Sequence, residues 1–343
     1  MFTLSFNYSK FREFINKVSF LCKDSESPIL IKPKDTHVDI FYNNINKTNF
    51  GGFFFDKIES NLIEGRSLSY FFLSIVELKK LKLLKNDKKV KIDNLFLVVD
   101  KNQCIIKYEV TWLSSGKVSN IESNLSIVEW DINKFKISED LLEPPSNYIK
   151  TTQEVVKNLV HYCNFYREDA TSKETKGSLL SAVEDEIVCI NTDSTTAIKF
   201  SATVLENTMK NPVDFTLSTS AFLILDKFSS DCTEVKLYPY KNRLYAYTEN
   251  SAMCLPGCAN KNALIPYKDL FHLHSSYPIK IEVFALKQAL LQLTAQDTQD
   301  VKLNLNFDIN KVNLYNQSCK IDNLPYEGSE NFSAAINVFF LLL

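Results

Sequence analysis

Two hydrophobic periods alternate along the chain. Residues 2–7 alternate apolar and polar side chains, the period of a half-buried strand. Residues 9–23 then place Phe11, Phe14, Ile15, Val18 and Leu21 or Cys22 three and four positions apart, which predicts a helix with one buried face. Strand patterns follow at 28–33, 38–42 and 50–55. Residues 58–65 lead into a second helical pattern over 67–85, with Leu68, Phe71, Phe72, Ile75, Val76 and Leu78 on its apolar side. Residues 90–92, 95–99 and 104–110 read as three further strands.

The same order returns downstream. After an acidic, Pro-bearing connector at 137–146, residues 151–163 form a helical pattern carrying Val155, Val156, Leu159, Val160 and Cys163, followed by strand patterns at 177–183, 186–193 and 195–202. A strand at 213–217, a helix at 218–230 and strands at 233–238, 243–248 and 252–255 complete a second group. A connector at about 260–276 leads to a strand at 279–283, a helix at 284–295 and strands at 301–307, 311–315 and 323–326. Residues 332–343 read as a strand entering a last helix near 335. Unit-opening helices therefore begin near 9, 151 and 284, and second-half helices near 67 and 218, a repeat of about 130–140 residues. This predicts an α+β chain of three similar domains, 1–140, 141–275 and 276–343, each a doubled strand–helix–three-strand unit, the third incomplete.

Composition narrows the function. The 343 residues are 45% hydrophobic with 25 Phe and 15 Tyr, enough for sizeable cores, while 7 Gly and 10 Pro exclude a low-complexity chain. No apolar run reaches the roughly 20 residues that a bilayer span needs, and the alternating N-terminus is no signal-peptide core; both point to a cytoplasmic protein without a membrane partner. The eight Cys lie in apolar segments without Cys-x-x-Cys spacing, so no metal or other cofactor is implied. The four His are scattered, and no phosphate loop, nucleophile elbow or His-Glu-x-x-His motif occurs, which argues against an enzyme. A net charge of −2 gives no overall basic field, so any nucleic-acid surface must come from the placement of the cations.

The middle unit resembles the bacterial DNA sliding clamp, the beta subunit of DNA polymerase III. The residues that carry the resemblance are the helix at 151–163, Lys176-Gly177 at a strand start, and Asn191-Thr192-Asp193-Ser194-Thr195-Thr196-Ala197 where the family has Ala-Thr-Asp-Gly-His-Arg-Leu. Thr192-Asp193 is the part shared. Near the C-terminus, Tyr326-Glu327-Gly328, Phe332 and Asn337-Val338 are similar to the family's Tyr-Ser-Gly and Phe-Asn-Val segment, and the repeat pattern extends the resemblance over essentially the whole chain. In the family the third domain continues beyond its last helix, whereas this sequence stops at Phe339-Phe340-Leu341-Leu342-Leu343, an uncapped apolar end that predicts truncation or loss of the last half-domain.

The resemblance implies a homodimeric ring around duplex DNA that catalyses nothing and acts as a processivity factor for the replicative polymerase. Lys10, Arg12, Lys17, Lys23, Lys79, Lys80, Lys82, Lys157, Arg167 and Lys173 are then the candidate phosphate-facing residues, since sequence-independent neutralisation needs charge and no base-reading geometry. A pocket for short hydrophobic peptides of the polymerase and clamp loader falls by register on Thr192, Thr195, Ala197, Pro266 and His272. Ring closure falls on Phe71, Phe72, Ile75 and Ile106 at one end and on Leu290, Leu291 and Leu293 at the other, residues equally suited to a core. The altered pocket turn, the neutral charge and the short C-terminus leave a second reading: a clamp-like interaction or regulatory module that does not encircle DNA.

Overall fold

In a computed structural model of the chain, residues 1–21, 28–43, 52–65, 69–81, 83–100, 103–134, 142–163, 177–192, 197–257, 280–281, 283–294, 302–308, 311–315, 320–327 and 332–337 are described. The chain divides into two compact units, Met1–Lys268 and Asp269–Leu343.

The first unit is organised around one long strand. Its N-terminal half contains β1 (Phe2–Asn7), α1 (Tyr8–Leu21), β2 (Ile29–Pro33), β3 (His37–Asn43), β4 (Phe53–Gly65), β5 (Phe71–Leu73), α2 (Ile75–Lys80), β6 (Val90–Lys91), β7 (Asn94–Val99), β8 (Gln103–Trp112) and β9 (Lys117–Ser126). The following half contains β10 (Ile149–Thr152), α3 (Gln153–Cys163), β11 (Ser178–Val183), β12 (Glu186–Thr192), β13 (Ala197–Thr203), β14 (Glu206–Asn207), β15 (Val213–Leu217), α4 (Thr219–Ser229), β16 (Glu234–Tyr240), β17 (Arg243–Tyr247) and β18 (Ser251–Pro256). β4 pairs with β3 and with β18 along its first part and with β1 along its second. One 14-stranded sheet therefore runs through both halves, joined where Phe54, Phe55 and Asp56 pair with Met253, Ala252 and Ser251. β13, β12, β11 and β15 form a separate four-stranded sheet.

Side-chain alternation explains why β4 can hold this position. Phe54, Asp56, Ile58 and Ser60 point to one face and Phe53 and Phe55 to the other, and all six are buried. The first face belongs to a core that also takes Phe11, Phe14, Ile15 and Val18 of α1, Ile75 and Leu78 of α2, Val156 and Leu159 of α3, and Phe222, Leu225 and Phe228 of α4. The opposite face packs a second cluster made of strand residues, among them Leu30, Phe41, Phe72, Tyr245 and Tyr247. The helices thus share this core, with α3 packing mainly against β12 and β13 of the four-stranded sheet. They touch in the order α2, α1, α4, α3.

Three sequence expectations need correction. The helical pattern over 67–85 resolves into β5 and the short α2. Phe71, Phe72 and Leu73 pair with Ile31, Leu30 and Ile29 of β2, and the Ser74 hydroxyl accepts the Glu77 N–H, so the helix starts only at Ile75. A continuous aromatic run satisfies either period, and strand pairing prevails here. β9 is absent from the pattern because most of its side chains are exposed; it pairs along its full length with β8, Gln103↔Ser126 to Trp112↔Lys117. Finally, the helix expected near 335 is strand there.

In the second unit, β19 (Lys280–Ile281), α5 (Val283–Thr294), β20 (Lys302–Asp308), β21 (Lys311–Tyr315), β22 (Lys320–Glu327) and β23 (Phe332–Asn337) form a helix and a five-stranded sheet in the order β19-β22-β21-β20-β23. β23 pairs with β20 from Phe307↔Phe332 to Lys302↔Asn337.

Candidate functional site

The row of helices in the first unit carries most of the predicted phosphate-facing cations, and their partners sort them. Lys10 is exposed on α1 and stands 3.7 Å from Glu13 one turn away, a weak surface pair. Arg12 instead turns its Nε to the Leu83 carbonyl at 3.5 Å. Lys17 is held by Asp231 at 2.8 Å with its side chain only 12% exposed, so it links α1 to the end of α4 and has no reach toward a phosphate. On α2, Lys80 is exposed and Lys79 half-buried; on α3, Lys157 is exposed. Among the described residues neither Lys80 nor Lys157 forms an ion pair. Lys23, Lys82, Arg167 and Lys173 lie outside the described residues. Among the described candidates, Lys10, Lys80 and Lys157 are therefore the exposed cations, on α1, α2 and α3.

Between α1, α4 and the strands of both halves lies a polar cleft of about 850 Å³. Asp56 is at its floor, 7% exposed, and accepts a 2.7 Å hydrogen bond from the Ser251 hydroxyl of β18. Burial pushes its pKa up from 3.8 to about 6, against the opposing pull of the Lys17 charge, the Ser251 hydroxyl and the Lys57 N–H. At Asp231, burial also pushes upward, but the hydrogen bond and charge of Lys17, with help from Ser230, outweigh it and hold the carboxyl below its ordinary value. Nothing in the sequence marked this cluster: Asp56 and Ser251 are 195 positions apart and meet only through the β4–β18 pairing.

The expected ring-closing residues on the first unit are corrected by their burial. Phe71 and Phe72 are 3% exposed and Ile75 and Ile106 are fully buried, so all four are core of their own chain. β8, which carries Ile106, is flanked by β7 and β9 and has no open edge along the register shared with them. On α5, Leu291 is 45% and Phe284 69% exposed, seven residues apart and thus on one face; the Leu290 and Leu293 side chains lie outside the described residues. Of the expected peptide pocket, Thr192 is fully buried and shares a sheet face with Leu179 and Ile190. Ala197 starts β13 opposite Thr192. Thr195, Pro266 and His272 lie outside the described residues.

Among the described residues no group of three or more His, Cys, Asp or Glu is placed to hold a metal, and no helix is long and apolar enough to cross a membrane. Cys104, Cys189, Cys232 and Cys254 are not in disulfides.

No protein-family model matches the sequence, and no curated protein matches it. Solved structures do match. DNA polymerase III subunit beta from Pseudomonas aeruginosa superposes with a TM-score of 0.74 at 13% identity, covering 99% of this chain and 88% of that one. The beta subunit from Thermotoga maritima gives 0.70 at 11% identity over 100% and 89%. The DNA polymerase sliding clamp from Bacillus subtilis gives 0.71 at 14% identity over 99% and 88%. The chain has the sliding-clamp fold along its whole length.

Proposed function

We propose that this protein is a DNA sliding clamp: a non-catalytic, cytoplasmic, homodimeric ring that encircles duplex DNA and tethers a replicative polymerase. The observation that carries the reading is the whole-chain match to clamp structures. It is supported by the row of touching helices α2, α1, α4 and α3, with Lys10, Lys80 and Lys157 exposed on three of them. Such a row suits a hole lined by helices, where a few diffuse cations let a duplex slide without binding any one sequence.

In this reading the chain keeps the three-domain repeat, 1–140, 141–275 and 276–343. Ring closure uses the outer edge of β9, because β8 is already paired on both sides, and the Phe284–Leu291 face of α5 in the second copy. Docking of polymerase and loader peptides is assigned to the residues expected from the sequence, Thr192, Thr195, Ala197, Pro266 and His272. A second reading, a clamp-like interaction module that encircles nothing, draws on β9 covering the β8 edge and on Arg12 and Lys17 being engaged within the chain.

Light scattering over a concentration series tests the ring. Two chains of 39.4 kDa have to meet at both ends, so a stable mass of twice that value is expected. A monomer at every concentration, or a mass that grows without limit, contradicts the proposal and favours the second reading.

A further inference from the structure

We propose that the seam between the two halves of the first unit is linked to a proton: mild acid tightens it, and near-neutral pH loosens it. The inference concerns the seam alone and holds whether or not the chain forms a ring.

Two polar contacts cross this seam side by side. The Ser251 hydroxyl of β18 donates to the Asp56 carboxylate of β4 at 2.7 Å, and Lys17 of α1 pairs with Asp231, just after α4, at 2.8 Å. Beside them the Lys57 N–H donates to the Asn250 carbonyl at 2.9 Å, and Phe54 meets Phe228 edge-to-face. The Asp56 carboxylate sits at the floor of the cleft, taken out of water by the closed seam. Opening the seam would hydrate it.

The groups facing Asp56 do not neutralise it. From α1 comes Lys17, whose charge is shared with the nearer Asp231; from the turn after α4 come Asp231 itself, of like sign, and the Cys232 thiol, which burial keeps protonated. β18 supplies the neutral Ser251 hydroxyl. Farther out on the cleft wall, Lys10 pairs with Glu13 on α1 and Lys150 of β10 with Glu234 of β16 at 2.7 Å, so these cancel among themselves. Lys57 and Glu59 of β4, Lys236 of β16 and Glu249 beyond β17 complete the charged lining, two of each sign. The closed seam therefore favours the neutral acid.

The sign follows by linkage. Asp56 titrates near 6 with the seam closed and near 3.8 when hydrated, so the closed state binds the extra proton between those values. Its stabilising effect is fully present below about 4 and is lost as pH rises through 6. The difference corresponds to roughly a hundredfold in the opening equilibrium. Asp231 works oppositely, but its lowered pKa places that loss below 3.8, outside this window.

Hydrogen exchange at the Lys57 amide, corrected for intrinsic chemistry, reads the opening equilibrium directly. Protection in the wild type is expected to rise tens-fold from pH 7 to pH 4.5, and Asp56→Asn, which keeps the acceptor for Ser251, to flatten the profile. Flat or falling protection toward acid in the wild type, or the same slope in Asp56→Asn, overturns the proposal. If Asp56→Asn does not fold, the carboxyl carbon of Asp56 in the wild type is titrated by NMR: a midpoint near 6 is expected, and one near 4 overturns the idea. Lys17→Met removes the cation and is expected to move that midpoint upward.

Discussion

Replacing Phe228 of α4 by Leu tests whether the first unit folds as one body. Phe228 and Phe54 are both fully buried, with ring centroids 6.2 Å apart at an interplanar angle of 88°, and they belong to different halves. Each Phe→Leu change shortens a core side chain and is expected to cost about 1–2 kcal/mol. The edge-to-face contact itself contributes about 0.5–1.5 kcal/mol and disappears in either single variant, so the double variant should be destabilised by about 1 kcal/mol less than the sum. Urea unfolding followed by circular dichroism and by tryptophan fluorescence provides the assay. Trp112 and Trp130, the chain's two tryptophans, both precede β10. A substitution in α4 should therefore shift the fluorescence midpoint of the N-terminal half by as much as the dichroism midpoint, with an unchanged slope. Strict additivity, or a tryptophan transition indifferent to Phe228→Leu, refutes the single-body reasoning.

Further predictions concern the same framework. Gly52→Ala drives a Cβ into the Cys254 carbonyl oxygen, backbone of β18, and should cost about 3 kcal/mol, whereas Gly116→Ala, at φ +65° with open space around it, should cost about 1–2 kcal/mol; equal midpoints in urea would contradict the close approach. Lys241→Gly in the Lys241-Asn242 hairpin turn, where φ is 47° and 58°, relieves about 1 kcal/mol of left-handed strain against about 0.5 kcal/mol lost from the Lys241–Tyr240 cation–π contact. A melting point raised by about 1–2 °C is expected, and a lower one counts against that balance. Lys80→Glu with Lys157→Glu should weaken nonspecific duplex binding at low salt and reduce the salt slope by about 2; unchanged binding would take these helices off the DNA-facing surface.

Elements with a buried face were legible in the sequence, because burial writes a period into the chain. The stripe of α1 and the strands β1, β3, β7 and β8 lie close to where the hydrophobic spacing put them. β9 was not legible: most of its side chains face solvent, with only Leu125 buried, and its full-length backbone pairing with β8 leaves little compositional trace. The 67–85 region misled for the opposite reason, since a run of apolar residues suits a buried strand as well as a helix. Site residues were harder still. Lys10 and Lys17 both lie outside the apolar stripe of α1, yet only Lys10 is exposed, because the engagement of Lys17 by Asp231 depends on α1 meeting the turn after α4, far along the chain. Phe71, Phe72, Ile75 and Ile106 were equally apolar whether core or interface, and only the fold assigns them to the core.

The most direct test of encirclement is retention on DNA of different topology. Protein assembled on a nicked circular duplex is passed through a sizing column at high salt, where ordinary phosphate contacts are suppressed, and the DNA is then cut once. A clamp stays with the circle and is lost after linearisation, because it slides off the ends. Equal retention on both forms, or none on the circle, contradicts the account.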